Sequence, residues 1–320
     1  MNRQSDGGGA RDRAGWLVFF GALEILFGIL VLLMLIGMGV GAAAGGLYPL
    51  TGPMLVYMLV FYGILAGFFI TMGVGTASVK RWARSVMIVV SWFWLAFGVL
   101  GAIAAALVIP PVIVRMAPEM PVALPVLTLL VTGFMVLLMV LAPLLLVLVY
   151  GGSRVRSTFM RRDPNVYWTE RVPTPVLSLA LLLGFSGLML LVYQFAAFPF
   201  PLFGTWIPGA WARVLWVLFG LAFAGSGWLS YRMDGRGWLA GASLIGFLVA
   251  STFLTYQRAG VWELYAGMSL NIPPDLLSGP LFQRLYLLTM APVTAFYAGY
   301  FAWVRRFFPR LLPGTAGRAR

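Results

Sequence analysis

The chain has 320 residues, of which 61% are hydrophobic and 10% are charged, and its net charge is +13. Soluble domains carry about 25% charged residues, so this composition excludes a water-covered globular protein and indicates an integral membrane protein. Histidine and cysteine are both absent, which excludes disulfides, thiolate nucleophiles and a histidine general base or metal ligand. We therefore expect no metal, no cofactor and no conventional catalytic centre.

The first predicted elements are a polar, glycine-rich N-terminus and a membrane helix. Residues 1–14 are predicted to be a disordered cytoplasmic segment. The apolar run from Trp16 to Val40 is longer than the roughly 7–15 residues of a signal-peptide core, which predicts a retained first membrane helix.

Glu24 is the main candidate functional residue of that helix. It is the single polar side chain in "FFGALEILFGIL", Phe19 to Leu30. A charge at the centre of a membrane helix costs about 2.5–3.5 kcal/mol, so something must offset it. Two interpretations follow. Glu24 is either a structural carboxyl bonded to a polar group on a neighbouring helix, or a proton- or cation-responsive site that faces a cavity. Its place in the helix predicts a position near mid-depth of the membrane or slightly toward the cytoplasm.

Eight apolar segments satisfy the length of about 20 residues that a spanning helix needs. They cover 15–40, 54–78, 85–109, 123–150, 175–197, 211–231, 237–256 and 284–304. Arginine concentrates in alternate connections and in both tails, which predicts that both termini are cytoplasmic. The predicted fold class is an all-α integral membrane protein with eight transmembrane helices in a bacterial-type cytoplasmic (inner) membrane.

The two halves of the chain share features that predict an internal duplication. Residues 15–152 and 174–308 are predicted to be parallel four-helix repeats, joined by a basic cytoplasmic linker, 153–173, and followed by a disordered basic tail, 309–320. Pro143 and Pro292 occupy matching places in the last helix of each half. Because proline removes a backbone hydrogen bond, these positions predict paired helix kinks.

Basic residues of the linker and acidic residues of the opposite loops are further candidates. The possible anionic-lipid contacts are Arg154, Arg156, Arg161 and Arg162, since polybasic segments beside a membrane attract anionic headgroups; the alternative is a linker that only sets topology. The candidate outer-face or entrance residues are Glu119, Glu263 and Asp275, which otherwise belong to ordinary interfacial loops. Two GxxxG pairs, Gly63 with Gly67 and Gly237 with Gly241, predict close helix packing or a homodimer face.

The inner turn "KRWAR", Lys80 to Arg84, together with the glycine-rich helices around it, resembles uncharacterised bacterial polytopic (multi-pass) inner-membrane proteins. The resemblance implies no function and assigns no functional residues. The leading functional hypothesis is passive or ion-coupled transport of a small or lipid-like solute. The alternative is a non-catalytic subunit or scaffold of a larger membrane complex, and an intramembrane lipid-modifying enzyme has the least support. The expected partners are anionic lipids, a second copy of the chain or other membrane subunits, and no nucleic acid.

Overall fold

The computed structural model of the protein describes residues 14–43, 52–116, 123–196, 198–260 and 280–308, which are almost entirely helical. The α-helices are α1 (Ala14–Ala43), α2 (Gly52–Ala77), α3 (Arg81–Met116), α4 (Ala123–Val136), α5 (Ala142–Gly151), α6 (Ser153–Arg162), α7 (Thr174–Tyr193), α8 (Gly209–Tyr231), α9 (Gly235–Ala259) and α10 (Pro280–Val304). A π-helical turn, Leu137–Leu141, joins α4 to α5. Short 3₁₀ turns lie at Trp168–Glu170, Gln194–Ala196 and Arg305–Phe307, and β1 (Phe200–Leu202) pairs with β2 (Thr205–Ile207).

Seven of the described helical segments are long and apolar enough to cross a membrane. They are Ala14–Ala42, Gly52–Ala77, Arg81–Ala106, Thr128–Gly151, Thr174–Ala196, Gly209–Tyr231 and Gly235–Ala259. These segments indicate a multi-pass protein embedded in a membrane. The eighth predicted segment, 284–304, coincides with α10, which is not one of the seven.

One end of the bundle, called here the basic end, carries the α2–α3 turn, α6 and the α8–α9 turn. The Arg81 backbone N–H donates to the Asp163 carboxylate at 3.2 Å. The Tyr231 hydroxyl donates to the Trp168 carbonyl at 3.0 Å. These contacts bring the linker between α5 and α7 against both turns, so basic residues that are far apart in sequence lie together.

The opposite end carries a β-hairpin that the sequence analysis did not predict. Its two-residue turn, Phe203 and Gly204, has positive φ at both positions, 40° and 114°, which suits the right-handed twist of a hairpin. The Phe203 N–H donates to the Ser251 hydroxyl at 3.0 Å, and the Gly204 N–H donates to the Thr255 hydroxyl at 3.1 Å. Buried hydroxyls of α9 thus hold the hairpin over this end of the second half.

Glycines bring α1 against α2 at backbone distance. A Cβ added to Gly21 would lie 2.6 Å from the Gly73 carbonyl oxygen, and one added to Gly28 would lie 3.0 Å from the Ala66 carbonyl oxygen. The predicted pair Gly63 and Gly67 is not at this interface, because an added Cβ there meets nothing within 4 Å in the described part of the chain. The glycines of α1 at this interface, Gly21 and Gly28, are seven residues apart, whereas the glycines of a GxxxG pair are four residues apart.

The α7–α8 pair packs in the same way. A Cβ added to Gly187 would lie 2.7 Å from the Gly220 carbonyl oxygen, and one added to Gly227 would lie 2.9 Å from the Ala180 carbonyl oxygen. Each half of the chain therefore contains one helix pair in which small residues allow backbone contact. Buried side chains form one apolar cluster in each half, centred on Tyr150 and Phe159 in the first and on Phe200 and Phe223 in the second.

The turns after α2 and α8 share an unusual backbone geometry. After α2, Val79 has φ 53°; its N–H donates to the Thr76 carbonyl, and the Lys80 N–H donates to the Gly75 carbonyl. This is the Schellman pattern of helix ends, with valine where glycine is usual.

After α8, Met233 has φ 61°. Its N–H donates to the Ser230 carbonyl, and the Asp234 N–H donates to the Leu229 carbonyl. Each of these residues lies 154 positions after its counterpart in the first turn. Two side chains that disfavour positive φ therefore occupy the same place in two turns of the same form.

Helix boundaries differ from the predicted ones around prolines. Helix α3 continues to Met116, beyond the predicted end at residue 109. The predicted segment, 85–109, stops immediately before Pro110 and Pro111. Proline removes an N–H donor, but its fixed φ lies in the helical range, so the backbone continues.

The π-helical turn before Pro143 explains a close contact with α3. Pro143 has no N–H, so the Met139 carbonyl four residues earlier lacks an α-helical donor. The hydrogen-bond pattern changes there from the α-helical to the π-helical spacing, and the Ala142 N–H donates to the Leu137 carbonyl five residues earlier. Gly98 of α3 is buried against the Met139 carbonyl, since a Cβ added to Gly98 would overlap that oxygen.

We predict that Gly98→Ala destabilises the protein by about 1–3 kcal/mol, because the new methyl group overlaps a backbone carbonyl that cannot rotate away. Gly101→Ala is the matched control on the same helix, since a Cβ there meets nothing within 4 Å in the described chain. The measurement is the free energy of unfolding in mixed detergent micelles. Equal stability of the two variants would contradict the contact.

Candidate functional site

Glu24 lies inside the bundle. Its side chain is 6% exposed, and it stands on α1 between Gly21 and Gly28, the two glycines that bring α1 against α2. Close backbone approach leaves room between the helices only for short side chains. The carboxyl group of Glu24 is directed toward α2 and α5, which carry its two hydrogen-bond partners.

Two hydroxyl groups complete a buried cluster with this carboxyl. The Tyr150 hydroxyl donates to Oε1 of Glu24 at 2.5 Å, and the Thr76 hydroxyl lies 3.0 Å from Oε2. The two hydroxyl oxygens are 2.9 Å apart. Thr76 and Tyr150 are both fully buried. We call these three side chains the carboxyl ring.

The carboxyl ring contains three O···O contacts, and each contact needs one hydrogen atom. Threonine and tyrosine hydroxyls supply one each, and an ionised carboxylate supplies none. With Glu24 ionised, one of the three contacts has no donor. With Glu24 protonated, the ring closes: Tyr150 donates to Oε1, the carboxyl O–H donates to Thr76, and Thr76 donates to Tyr150.

The carboxyl ring lies toward the basic end of the bundle; the depth of Glu24 in the membrane stays a prediction. Thr76 is in the last turn of α2, and Tyr150 is the penultimate residue of α5. Gly21 of α1 lies against Ala77, the last residue of α2. The first residues of α1, Ala14 onward, therefore extend past the end of α2. Glu24, ten residues after the start of α1, is for this reason level with the last turn of α2. The ring is one helical turn from the α2–α3 turn.

Thr76 and Tyr150 were not predicted as site residues. Each lies near the end of an apolar helix, where hydroxyl side chains are common and carry little signal. Their sequence separations from Glu24 are 52 and 126 residues. The sequence could predict only that such partners exist, because a carboxyl group in an apolar membrane helix requires hydrogen-bond donors on the neighbouring helices.

The other predicted site residues are not part of the carboxyl ring. Pro143 is buried and follows the π-helical turn, whereas Pro292 is exposed within α10; the paired kinks stay a prediction. Glu119, Glu263 and Asp275 lie outside the described residues, as do the two predicted disordered tails apart from Ala14. Arg154, Arg156, Arg161 and Arg162 all have exposed side chains on α6 at the basic end.

The basic end contains a second polar cluster around the start of α3. The Arg81 guanidinium donates through Nε to Glu170 Oε1 at 3.1 Å, and its Nη2 lies 2.9 Å from Oε2. Asp163 is 4% exposed; its Oδ2 accepts the Arg81 backbone N–H, and its Oδ1 accepts the Asn165 side-chain amide at 3.2 Å. A carboxylate from the linker thus caps the N-terminus of α3.

The charge state of Asp163 follows from these contacts. Burial alone would raise the pKa of its carboxyl group. Hydrogen bonds from the Arg81 backbone, from Tyr167 and from Asn165, together with the charge of Lys80, outweigh burial and hold the pKa below its ordinary value. The ionised form is therefore the one that stabilises the folded chain.

Within the described residues, no group of three or more acidic side chains is placed to hold a metal ion. Comparisons of the chain with protein-family models, with curated proteins and with solved structures find no match.

We predict that Asp163→Asn lowers stability at neutral pH and that the difference from the wild type disappears in acid. A carboxyl whose pKa is lowered on folding stabilises the folded state above its unfolded pKa of about 3.9, and this contribution is lost as the pH falls through the folded pKa. Thermal unfolding between pH 7 and pH 3 measures the difference. A constant difference across this range would show that the charge of Asp163 is not involved.

We predict coupling between Thr76 and Tyr150. Thr76→Val and Tyr150→Phe should each cost about 1–3 kcal/mol, because each leaves buried oxygen atoms short of a partner. The double variant should cost at least about 0.5 kcal/mol less than the sum, since both changes open the same ring. Ser226→Ala is the control, because Ser226 donates only to the Ala222 carbonyl of its own helix. Additive costs would rule out a closed ring.

Proposed function

We propose that the protein is a membrane transport protein in which Glu24 takes up and releases a proton during an ion-coupled step. The observation that carries the proposal is the proton count of the carboxyl ring, which is complete only when Glu24 is protonated. Intramembrane carboxyl groups are rare and are commonly part of ion or proton paths. The solute is small or lipid-like.

Loss of the proton has a structural consequence in this proposal. An ionised Glu24 accepts from both hydroxyls, so the Thr76–Tyr150 contact loses its hydrogen atom. That contact is the bond in the ring that joins α2 directly to α5. Deprotonation therefore removes the direct bond between α2 and α5 and leaves α5 bonded to α1 through Tyr150 and Glu24, and a proton released toward the basic end shifts the packing of the first half.

We infer that α10 is an eighth membrane span and that both termini lie on the cytoplasmic side of a bacterial-type inner membrane. Helix α10 has 25 residues, a length of about 37 Å at 1.5 Å per residue, which is enough to cross a bilayer. Its last residues are at the basic end, where Arg305 lies over Trp238 of α9. Arginine-rich ends of membrane helices face the cytoplasm.

We also infer that the halves are parallel four-helix repeats. The turns after α2 and α8 differ by 154 positions and share their hydrogen bonds and positive φ. The glycine contacts correspond as well: Ala66 and Gly73 of α2 match Gly220 and Gly227 of α8 at the same offset. The partners of these residues are Gly21 and Gly28 in α1 and Ala180 and Gly187 in α7, so the offset between α1 and α7 is 159 (180 − 21 and 187 − 28). Glu24 then corresponds to Leu183, and one half alone carries the carboxyl at this place.

The proposal is tested by proton flux into vesicles that contain the purified protein and an internal pH-sensitive dye. The wild type should conduct protons under an applied membrane potential, whereas Glu24→Gln should fall to the rate of protein-free vesicles. Tyr300→Phe is the control, because Tyr300 bonds Ser178 in the second half at 2.5 Å. Equal flux through the wild type and Glu24→Gln would reject the role of Glu24.

A non-catalytic membrane subunit is the second candidate. The observation that favours it is that both carboxyl oxygens of Glu24 already have partners within the chain, so the ring is complete as a structural lock without any solute. Native mass spectrometry after gentle extraction separates the candidates. Stoichiometric release of a second protein would favour the subunit, and a lone chain or homo-oligomer with a bound small molecule would favour transport.

A further inference from the structure

Arg84 occupies an unusual position in the first turn of α3. Its Nε is buried and has no hydrogen-bond partner among the described residues. A charged N–H group buried without an acceptor loses hydration and gains nothing in return. The side chain as a whole is only partly buried, so its guanidinium can still reach a group outside the chain.

A second cation lies beside Arg84. Helix α6 and the 3₁₀ turn Trp168–Glu170 both pack on α3, and Arg156 and Glu170 are within electrostatic range of Arg84. Glu170 is already paired with Arg81: its Oε1 accepts from Nε, and its Oε2 lies 2.9 Å from Nη2 but has no hydrogen-bond partner among the described residues. Arg84 and Arg156 therefore share surroundings in which the nearby carboxylate, Glu170, already pairs with Arg81. A further anion there would offset the repulsion between the two guanidinium groups.

A hydroxyl group in the same turn also lacks a partner. Thr169 is 3% exposed, and its Oγ1 has no hydrogen-bond partner among the described residues. The short turn that holds Glu170 against Arg81 thus carries an unused hydroxyl, and α3 carries an unused guanidinium N–H. Both are buried polar groups, and such groups normally have partners.

We propose that Arg84 and Arg156 bind a phosphate group, and that its source is the headgroup of an anionic phospholipid. Guanidinium groups bind phosphate oxygens through paired, charge-assisted hydrogen bonds. Arg81–Ala106 is a membrane-crossing segment, so Arg84 lies at the level where the helix leaves the hydrocarbon and meets headgroups. Arg156 is exposed, which leaves the site open on that side.

The site is specific to one face of α6. Consecutive residues of an α-helix are rotated by about 100°, so Arg154 and Arg156 are about 200° apart and point in nearly opposite directions. A general attraction of anionic lipid to the linker would use both arginines. A site built with Arg84 uses Arg156 alone.

The test compares Arg84→Gln, Arg156→Gln and Arg154→Gln, which each remove one charge. Native mass spectrometry of the full chain, titrated with phosphatidylglycerol or with phosphatidylcholine, measures lipid affinity. Wild type should prefer phosphatidylglycerol, Arg84→Gln and Arg156→Gln should weaken its binding at least about tenfold, and Arg154→Gln should match the wild type. Because Arg156 is exposed, its variant keeps the test valid even if Arg84→Gln does not fold.

Competition identifies the source of the phosphate. Failure of millimolar inorganic phosphate or glycerol phosphate to displace phosphatidylglycerol would assign the site to lipid. Displacement by either would keep the Arg84–Arg156 site but assign it to a soluble phosphate compound. Equal weakening by all three variants, or no weakening by Arg156→Gln, would overturn the proposal.

Discussion

A carboxyl group inside a membrane bundle must have hydrogen-bond partners, since lipid provides none and an unpaired buried charge costs several kcal/mol. Glu24 obtains its partners from α2 and α5, which makes one polar contact the meeting point of three helices in the first half. The ring can form only because Gly21, Gly28 and Gly73 allow α1 and α2 to touch at backbone distance. Helix packing and burial of the carboxyl group therefore depend on each other. The glycines bring α1 and α2 close enough to place the carboxyl group inside the bundle, and the hydroxyl groups of Thr76 and Tyr150 provide its hydrogen-bond partners.

The two halves meet this constraint differently. In the second half, the residue that corresponds to Glu24 in the proposed repeat is Leu183, which is fully buried. Ser230 corresponds to Thr76, and its hydroxyl has no partner among the described residues. Tyr300 of α10 instead bonds Ser178 of α7. The last helix of each half is thus attached through a tyrosine hydroxyl, but only in the first half does that hydroxyl bond a carboxyl group.

The membrane class of the protein and the need of Glu24 for polar partners on neighbouring helices could be predicted from sequence, because both follow from where apolar side chains occur and where one carboxyl interrupts them. The ring partners could not. Which hydroxyl faces Glu24 depends on how α2 and α5 are rotated, and several hydroxyls were equally eligible. The β-hairpin was missed because its strands have three residues each. The turn at Val79 was missed because glycine, not valine, signals a positive φ. The buried Nε of Arg84 depends on the fold of the linker, which the composition of "SRVRSTFMRR" does not specify.

The most direct measurement of the central claim is the infrared difference spectrum between wild type and Glu24→Gln in lipid at neutral pH. The account predicts that wild type has a C=O stretching band of a protonated carboxylic acid that is absent from Glu24→Gln and shifts when water is exchanged for heavy water. Tyr150→Phe should alter the frequency of this band, because Tyr150 donates to the carbonyl oxygen. A difference spectrum that shows only the two stretching bands of an ionised carboxylate would contradict the closed ring and the proton that completes it.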